Sequence, residues 1–259
     1  MSVRTRRAGQ FYIFIALLFL YAPLFVMVLM AFNRSRTNQL PFEFDTMWFS
    51  ALRENERLLA ATGNSIALAL FTALVATAIG TAAAMALSRA QFRGKRLLQA
   101  MLIPPITIPW LILAIALLVM FFWLGVQRSV FTLVVGHITV QLPYTILVIS
   151  ARFAATDAAL EEAAASLGAP PLYAFRRVTL PLILPGVLAA FVFAFAISFD
   201  NFVISYFLAP VGTTTLPVEI YTAIRTSFTP EVNAISAIVF VVSAVCVVIA
   251  GRDISFNLN

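Results

Sequence analysis

One cysteine, one histidine and one lysine occur among 259 residues, and charged residues make up only 11% of the chain. The lone thiol, Cys246, lies in an apolar run, so no intrachain disulfide can form and neither a CxxC redox pair nor a cysteine zinc site exists. It is expected to be a small packing residue. A glycine-rich phosphate loop with its lysine and hydroxyl residue is also missing, so the chain cannot carry out nucleotide chemistry by that route. What the sequence does have is apolar surface. It is 62% hydrophobic, with a mean hydropathy of +0.98. One soluble core cannot absorb that much, and the solvent for most of the chain must be lipid. The net charge of +6 is dispersed through loops between apolar runs, which fits membrane topology rather than nucleic-acid binding.

Arg4, Arg6 and Arg7 precede an uncharged run from Phe11 to Phe32. A secretory signal has an apolar region of roughly 7–15 residues ending at a small-residue cleavage site, so this longer run is expected to be an uncleaved first helix. No charge falls between Arg57 and Arg89, Arg96 and Arg128, Arg128 and Arg152, Arg177 and Asp200, or Glu231 and Arg252. Each interval holds a membrane helix of about 20 residues. The expected architecture is a single all-α transmembrane domain over 1–259, with six spans near 11–32, 62–88, 98–124, 130–151, 181–209 and 232–251. With the N-terminus cytoplasmic, the inner segments hold Arg4, Arg6, Arg7, Arg89, Arg93, Lys95, Arg96, Arg152, Arg176, Arg177 and Arg252. The outer ones hold only Arg34, Arg36, Arg53, Arg57, Arg128 and Arg225. Both termini are therefore expected inside.

The loop over 152–181, between the fourth and fifth spans, is charged and punctuated. Asp157 suits a helix N-cap, Glu161 and Glu162 fall early where the helix dipole favours anions, and Gly168, Pro170 and Pro171 form a stop. Pro171 can open a second short helix, Leu172 to Val178, so that two helices meet at a Gly-Pro-Pro corner. The same residues also suit an amphipathic linker lying on the bilayer, and the spacing alone leaves both readings open.

Glu162-Ala163-Ala164, Gly168, Val178 and Leu180-Pro181 stand at the spacing of the cytoplasmic loop signature of permease subunits of bacterial ABC importers. The chain resembles that binding-protein-dependent (type I) family, with Val178 where isoleucine is commoner. The resemblance implies that Glu161, Glu162, Ala163, Ala164, Gly168, Leu180 and Pro181 form a knob seated in a groove of an ATPase subunit. It also implies a sister permease, an ATPase dimer that binds ATP and Mg, and a periplasmic binding protein. This chain then holds no cofactor and no catalytic or metal-binding residue, in the bacterial inner membrane. Gly136-His137-Ile138-Thr139, Gln141-Leu142-Pro143-Tyr144, Ser198 to Ser205, Thr214 to Tyr221 and Pro230 to Ala234 are similar to the spermidine/putrescine permeases, in particular the second, shorter one of the pair. Related permeases for other small amines, aminophosphonates or ferric iron share much of this pattern.

Asp200 is the one charge well inside an expected span, about 28 Å beyond Pro181 at 1.5 Å per residue. Intramembrane carboxylates face cavities or partners. With Phe199 and Phe202 beside it, Asp200 suits an ammonium ligand on the substrate pathway, and it equally suits pairing with an arginine of a sister subunit. Asn201, expected on the same substrate pathway, stands where the polyamine permeases often carry a second aspartate. His137 has no acidic or thiol neighbour in sequence and is expected to be a packed hydrogen-bonding residue. Pro104, Pro105 and Pro109 in the third span, like Pro181 and Pro185 in the fifth, are expected to kink or break the helix, and the alanine-rich second span suits close helix packing. An ion-coupled carrier would show inverted repeats and several intramembrane charges, and an intramembrane enzyme would show a nucleophile motif. Neither pattern is found.

Overall fold

The computed structural model describes the backbone of residues 3–226 and 230–256. The described chain is helical, with one isolated antiparallel bridge between Asn33 and Phe44. In chain order the helices are α1 (Val3–Met30), α2 (Met47–Glu54), α3 (Glu56–Arg89), α4 (Lys95–Met101), α5 (Pro104–Thr107), α6 (Trp110–Trp123) and α7 (Val130–Ala154). There follow α8 (Ala159–Ser166), α9 (Pro171–Ala174), a π-helical turn (Phe175–Thr179), α10 (Leu180–Phe199), α11 (Phe202–Leu208), α12 (Leu216–Thr226) and α13 (Glu231–Phe256). The chain groups into two compact units, Met1–Leu59 with Ile220–Asn259, and Ala60–Glu219.

Among the described residues, four helical stretches are long and apolar enough to cross a membrane: Gly9–Met30, Glu56–Arg89, Val130–Ala154 and Pro171–Phe199. A fifth exists if Lys95–Thr107 and Trp110–Trp123, bent by 109°, count as one span. The expected bend in the third span is therefore present, and its cause is local. Ile108 precedes Pro109 and is pushed to an extended ψ of 131°, which ends α5 and lets α6 restart at Trp110. The expected sixth span, 232–251, falls within α13, and of the residues whose side chains are described there, Glu231–Val245 form an apolar helix. The side chain of Cys246 lies outside the described residues.

The fifth expected span, 181–209, is corrected at both ends. It starts earlier, because α9 runs through the π-helical turn directly into α10, giving one 29-residue stretch from Pro171 to Phe199. Pro181 removes a backbone donor, and just before it the helix widens so that the Leu180 N–H bonds the Phe175 carbonyl, five residues back. The expected Leu172 to Val178 helix is thus the root of the span rather than a separate piece. At the other end the helix stops at Phe199, and α11 is a separate short helix.

Within Ala60–Glu219, α7 is the central helix, with buried positions around much of its girth. Ala84 of α3, Ile149 and Phe153 of α7, and Ile183 and Ala190 of α10 form one apolar cluster. Ala114, Leu117 and Phe121 of α6, Val140 of α7, and Ile204 and Leu208 of α11 form another. Small residues set the spacing. Ala69, Ala73 and Ala76 of α3 are fully buried, and a methyl on Gly80 would lie 2.9 Å from Thr145 Cβ of α7. Within the other unit, α1 and α2 pack on α13. There the segment between α1 and α2 is tied by buried Asn33, whose carbonyl accepts from Trp48 Nε1 at 2.7 Å.

Candidate functional site

The 152–181 loop folds as a two-helix corner. The Asp157 carboxylate accepts the Ala159 N–H at 2.9 Å from two residues ahead of the helix that begins at Ala159, so the N-cap is Ala158 rather than the expected Asp157, which holds the turn before it. Gly168 has φ +81°, the left-handed conformation that reverses the chain at a helix end, and its N–H bonds the Ala165 carbonyl at 2.9 Å. Extended Pro170 and then Pro171 at the first helical position start α9. The corner presents apolar side chains outward: Leu167 is 88% exposed, and Leu160, Leu172 and Tyr173 are also exposed. Ala163 is exposed and Ala164 half-buried, Leu180 is half-buried against the inner cluster, and Pro181 is exposed.

The two adjacent glutamates separate. Glu162 is exposed. Glu161 turns toward its own chain, where Arg89 at the end of α3 grips it with Nε at 3.1 and 3.2 Å from the two carboxylate oxygens and Nη2 at 3.1 Å from Oε1. Arg89 Nη2 also donates to Thr156 Oγ1 at 3.3 Å, and its Cζ sits 5.5 Å from the ring centroid of buried Phe153. Arg89 was not among the expected site residues. Its partner is 72 positions away, and its place in a basic stretch with Arg93, Lys95 and Arg96 accounts for it without any partner.

Asp200 and Asn201 fall at the break between α10 and α11 and face different surroundings. Asp200 is the exposed C-terminal cap of α10, its N–H bonding the Ala196 carbonyl at 3.1 Å. Asn201 is 1% exposed and caps α11, its Oδ1 accepting the Ile204 N–H at 2.9 Å while its Nδ2 is buried without a partner among the described residues. The two side chains therefore do not share one polar surface. Phe199 stacks on Phe195 at 5.8 Å, and Phe202 lies against Tyr206 at 5.2 Å, each ring engaged along its own helix.

His137 is 1% exposed and hydrogen-bonded on both ring nitrogens, Nδ1 2.7 Å from Ser198 Oγ and Nε2 3.1 Å from Ser205 Oγ. Ser198 Oγ is 3.1 Å from Thr72 Oγ1, to which Gln141 Nε2 donates at 2.8 Å. Thr72 in turn donates to the Leu68 carbonyl at 2.8 Å. One proton assignment satisfies the chain: Nδ1–H to Ser198, Ser198 to Thr72, and Ser205 to Nε2, with the imidazole neutral. This polar thread joins α3, α7, α10 and α11 and explains why His137 has no sequence neighbour to pair with. The available signal was that Thr72, Gln141, Ser198 and Ser205 each interrupt an apolar run, as interior-facing residues of membrane helices do.

The described chain is helical, with long apolar helices joined by a buried polar thread, a fold of the kind that multi-pass membrane proteins have. The chain belongs to the family described as binding-protein-dependent transport system inner membrane component, whose model matches residues 76–252, more than half of its length. Over 230 residues it is 37% identical to the spermidine/putrescine transport system permease protein PotC of Escherichia coli (strain K12), covering 89% of this chain and 87% of that one. It is 34% identical over 228 residues to the putrescine transport system permease protein PotI of the same strain, covering 85% and 81%. Among solved structures, a chain of a bacterial ABC transporter involved in import of the acidic polysaccharide alginate superposes with TM-score 0.70 over 98% of each chain at 17% identity, a likeness of fold alone.

Proposed function

We propose that this permease forms half of the pathway by which a small organic cation such as putrescine or spermidine is imported at the expense of ATP hydrolysed by a separate subunit. The observation that carries the ligand class is the near-full-length similarity to PotC, whose name specifies spermidine and putrescine. A sister permease supplies the other half, and a periplasmic binding protein delivers the ligand. Glu162, Ala163, Ala164 and Gly168 form the knob that docks on the ATPase. The exposure of Glu162 and of apolar Leu160 and Leu167, outside the spans, with Leu172 and Tyr173 at the root of the Pro171–Phe199 span, supports this reading, since apolar surface gathered at such a corner needs a partner. Both termini and the knob are cytoplasmic. Asp200, with Phe199 and Phe202, meets the ligand at the outer end of α10, and Asn201 holds the start of α11.

The test is uptake of radiolabelled putrescine and spermidine by cells with and without this chain, its neighbouring subunits present, with a parallel ATP-depleted sample. ATP-dependent polyamine uptake that disappears on deletion is the expected result. Polyamine uptake indifferent to the deletion would remove the ligand class.

A further inference from the structure

We propose that Arg89 is a positioning residue of the coupling machinery: its guanidinium clasps Glu161 and ties the first helix of the knob to the inner end of α3, so that movement of the knob is carried into that transmembrane helix. The proposal rests on the docking role of the knob given above. It deepens that role by naming where the push enters the membrane.

The geometry separates two tasks between adjacent glutamates. Consecutive helical residues point about 100° apart, so α8 cannot present both carboxylates to one surface. Glu162 is exposed, whereas Glu161 is drawn onto Arg89 in three hydrogen bonds of 3.1 to 3.2 Å. Both side chains of the pair are only 23% exposed, so water screens them less than it would a surface pair. The arginine is itself held from the far side. Phe153, 1% exposed, forms a floor beneath its guanidinium, and Thr156, anchored by its own bond to the Phe153 carbonyl at 2.9 Å, takes a further N–H. One planar cation thus joins the inner end of α3, the inner end of α7 and the first helix of the knob. Lysine, a point charge without a fork, would keep the charge but not this fixed orientation. From its inner end α3 runs outward past Gly80 to Thr72, a member of the polar thread that ends at Ser198 and Ser205 on either side of the Asp200 break. A shift of the knob therefore has a packed route to the surface proposed to meet the ligand.

The test reads the movement of α3 without needing a ligand. In a chain with Cys246→Ser, exposed Ala86, one turn before the clasp, is changed to Cys, and the full importer is assembled with its sister permease and ATPases. Maleimide labelling of that cysteine is timed with and without ATP and vanadate, in the unaltered clasp and in Arg89→Gln, Glu161→Gln and the double variant. The expected result is a nucleotide-dependent change in labelling rate that falls roughly tenfold in each single variant and no further in the double, because both singles break the same interaction. Arg89→Lys, which keeps the charge, serves if Arg89→Gln fails to assemble, with the same loss expected. A nucleotide response kept in both single variants overturns the clasp, as do losses that add in the double or losses confined to thermal stability. Gly168→Val in the same background separates the two levels of the argument. If it retains the response, or if the unaltered chain shows none, the knob does not couple and the proposal falls with it. A response lost in Gly168→Val but retained in the clasp variants leaves the knob intact and refutes Arg89 alone.

Discussion

At the scale of single residues, the buried polar thread has more at stake than any exposed charge. Removing His137 would leave the Ser198 and Ser205 hydroxyls facing a cavity, and an unpaired buried hydroxyl together with lost packing costs about 2–4 kcal/mol. His137→Ala is therefore expected to lower the thermal midpoint of the purified importer clearly. In protein that does assemble, transport per ATP hydrolysed should be nearly unchanged, because the ring is shielded from any ligand. A loss of transport at full stability would instead give His137 a direct role. Asp200 presents the opposite case. It is exposed and its backbone, not its carboxylate, caps α10, so Asp200→Asn should leave assembly intact. Uptake of a cationic ligand is expected to fall roughly tenfold, since a charge-assisted contact is worth about 1.5–3 kcal/mol. Unchanged putrescine uptake would remove it from the pathway.

At the scale of elements, two glycines act for different reasons. Gly168 has no heavy atom within 4 Å of where a Cβ would stand, so a side chain there meets strain in the backbone rather than a clash. With φ at +81°, a β-branched residue is penalised by more than the roughly 1–2 kcal/mol of an ordinary left-handed residue, whereas asparagine tolerates that region. Gly168→Val is accordingly expected to uncouple ATP hydrolysis from uptake and Gly168→Asn to retain most of it. Equal behaviour of the two in a paired hydrolysis and uptake assay would show that the corner's conformation is irrelevant. Gly80 has the contrary environment. An added methyl would stand 2.9 Å from Thr145 Cβ, an atom fixed close to the α7 backbone that cannot swing away. Gly80→Ala should therefore push α3 from α7 and destabilise the assembly by about 1–3 kcal/mol, seen as a lowered thermal midpoint.

At the scale of the whole molecule, topology is the property that charge distribution alone assigns. In a chain with Cys246→Ser, a cysteine at exposed Thr37 is expected to react with an impermeant maleimide added to intact periplasm-accessible cells, and one at exposed Gln91 only after permeabilisation. The reverse pattern would invert the protein and put the knob on the wrong side for any ATPase. Much of this level was legible in sequence, because a lipid solvent imposes one rule everywhere: long apolar runs become helices, and charges mark their ends. The bend at Pro104 to Pro109 and the corner at Gly168 were equally legible, being consequences of a missing donor and a left-handed φ that few residues other than glycine accept. Sequence misjudged the fifth span, reading Pro181 as its start, because proline is ordinarily a boundary and a π-helical turn that absorbs it has no local signature. It likewise took Phe199 to Phe202 for continuous helix, where the chain breaks and Asn201 turns inward. The sequence by itself determined that the chain is helical and membrane-bound and where its corner lies, because these depend on residues close together along the chain. Only the tertiary structure decided which of two neighbouring glutamates faces inward, that Arg89 holds it, and that His137 is saturated by two serines. Each of those pairings spans more than 60 positions, and a contact at that separation is fixed by how helices pack, which no local pattern encodes.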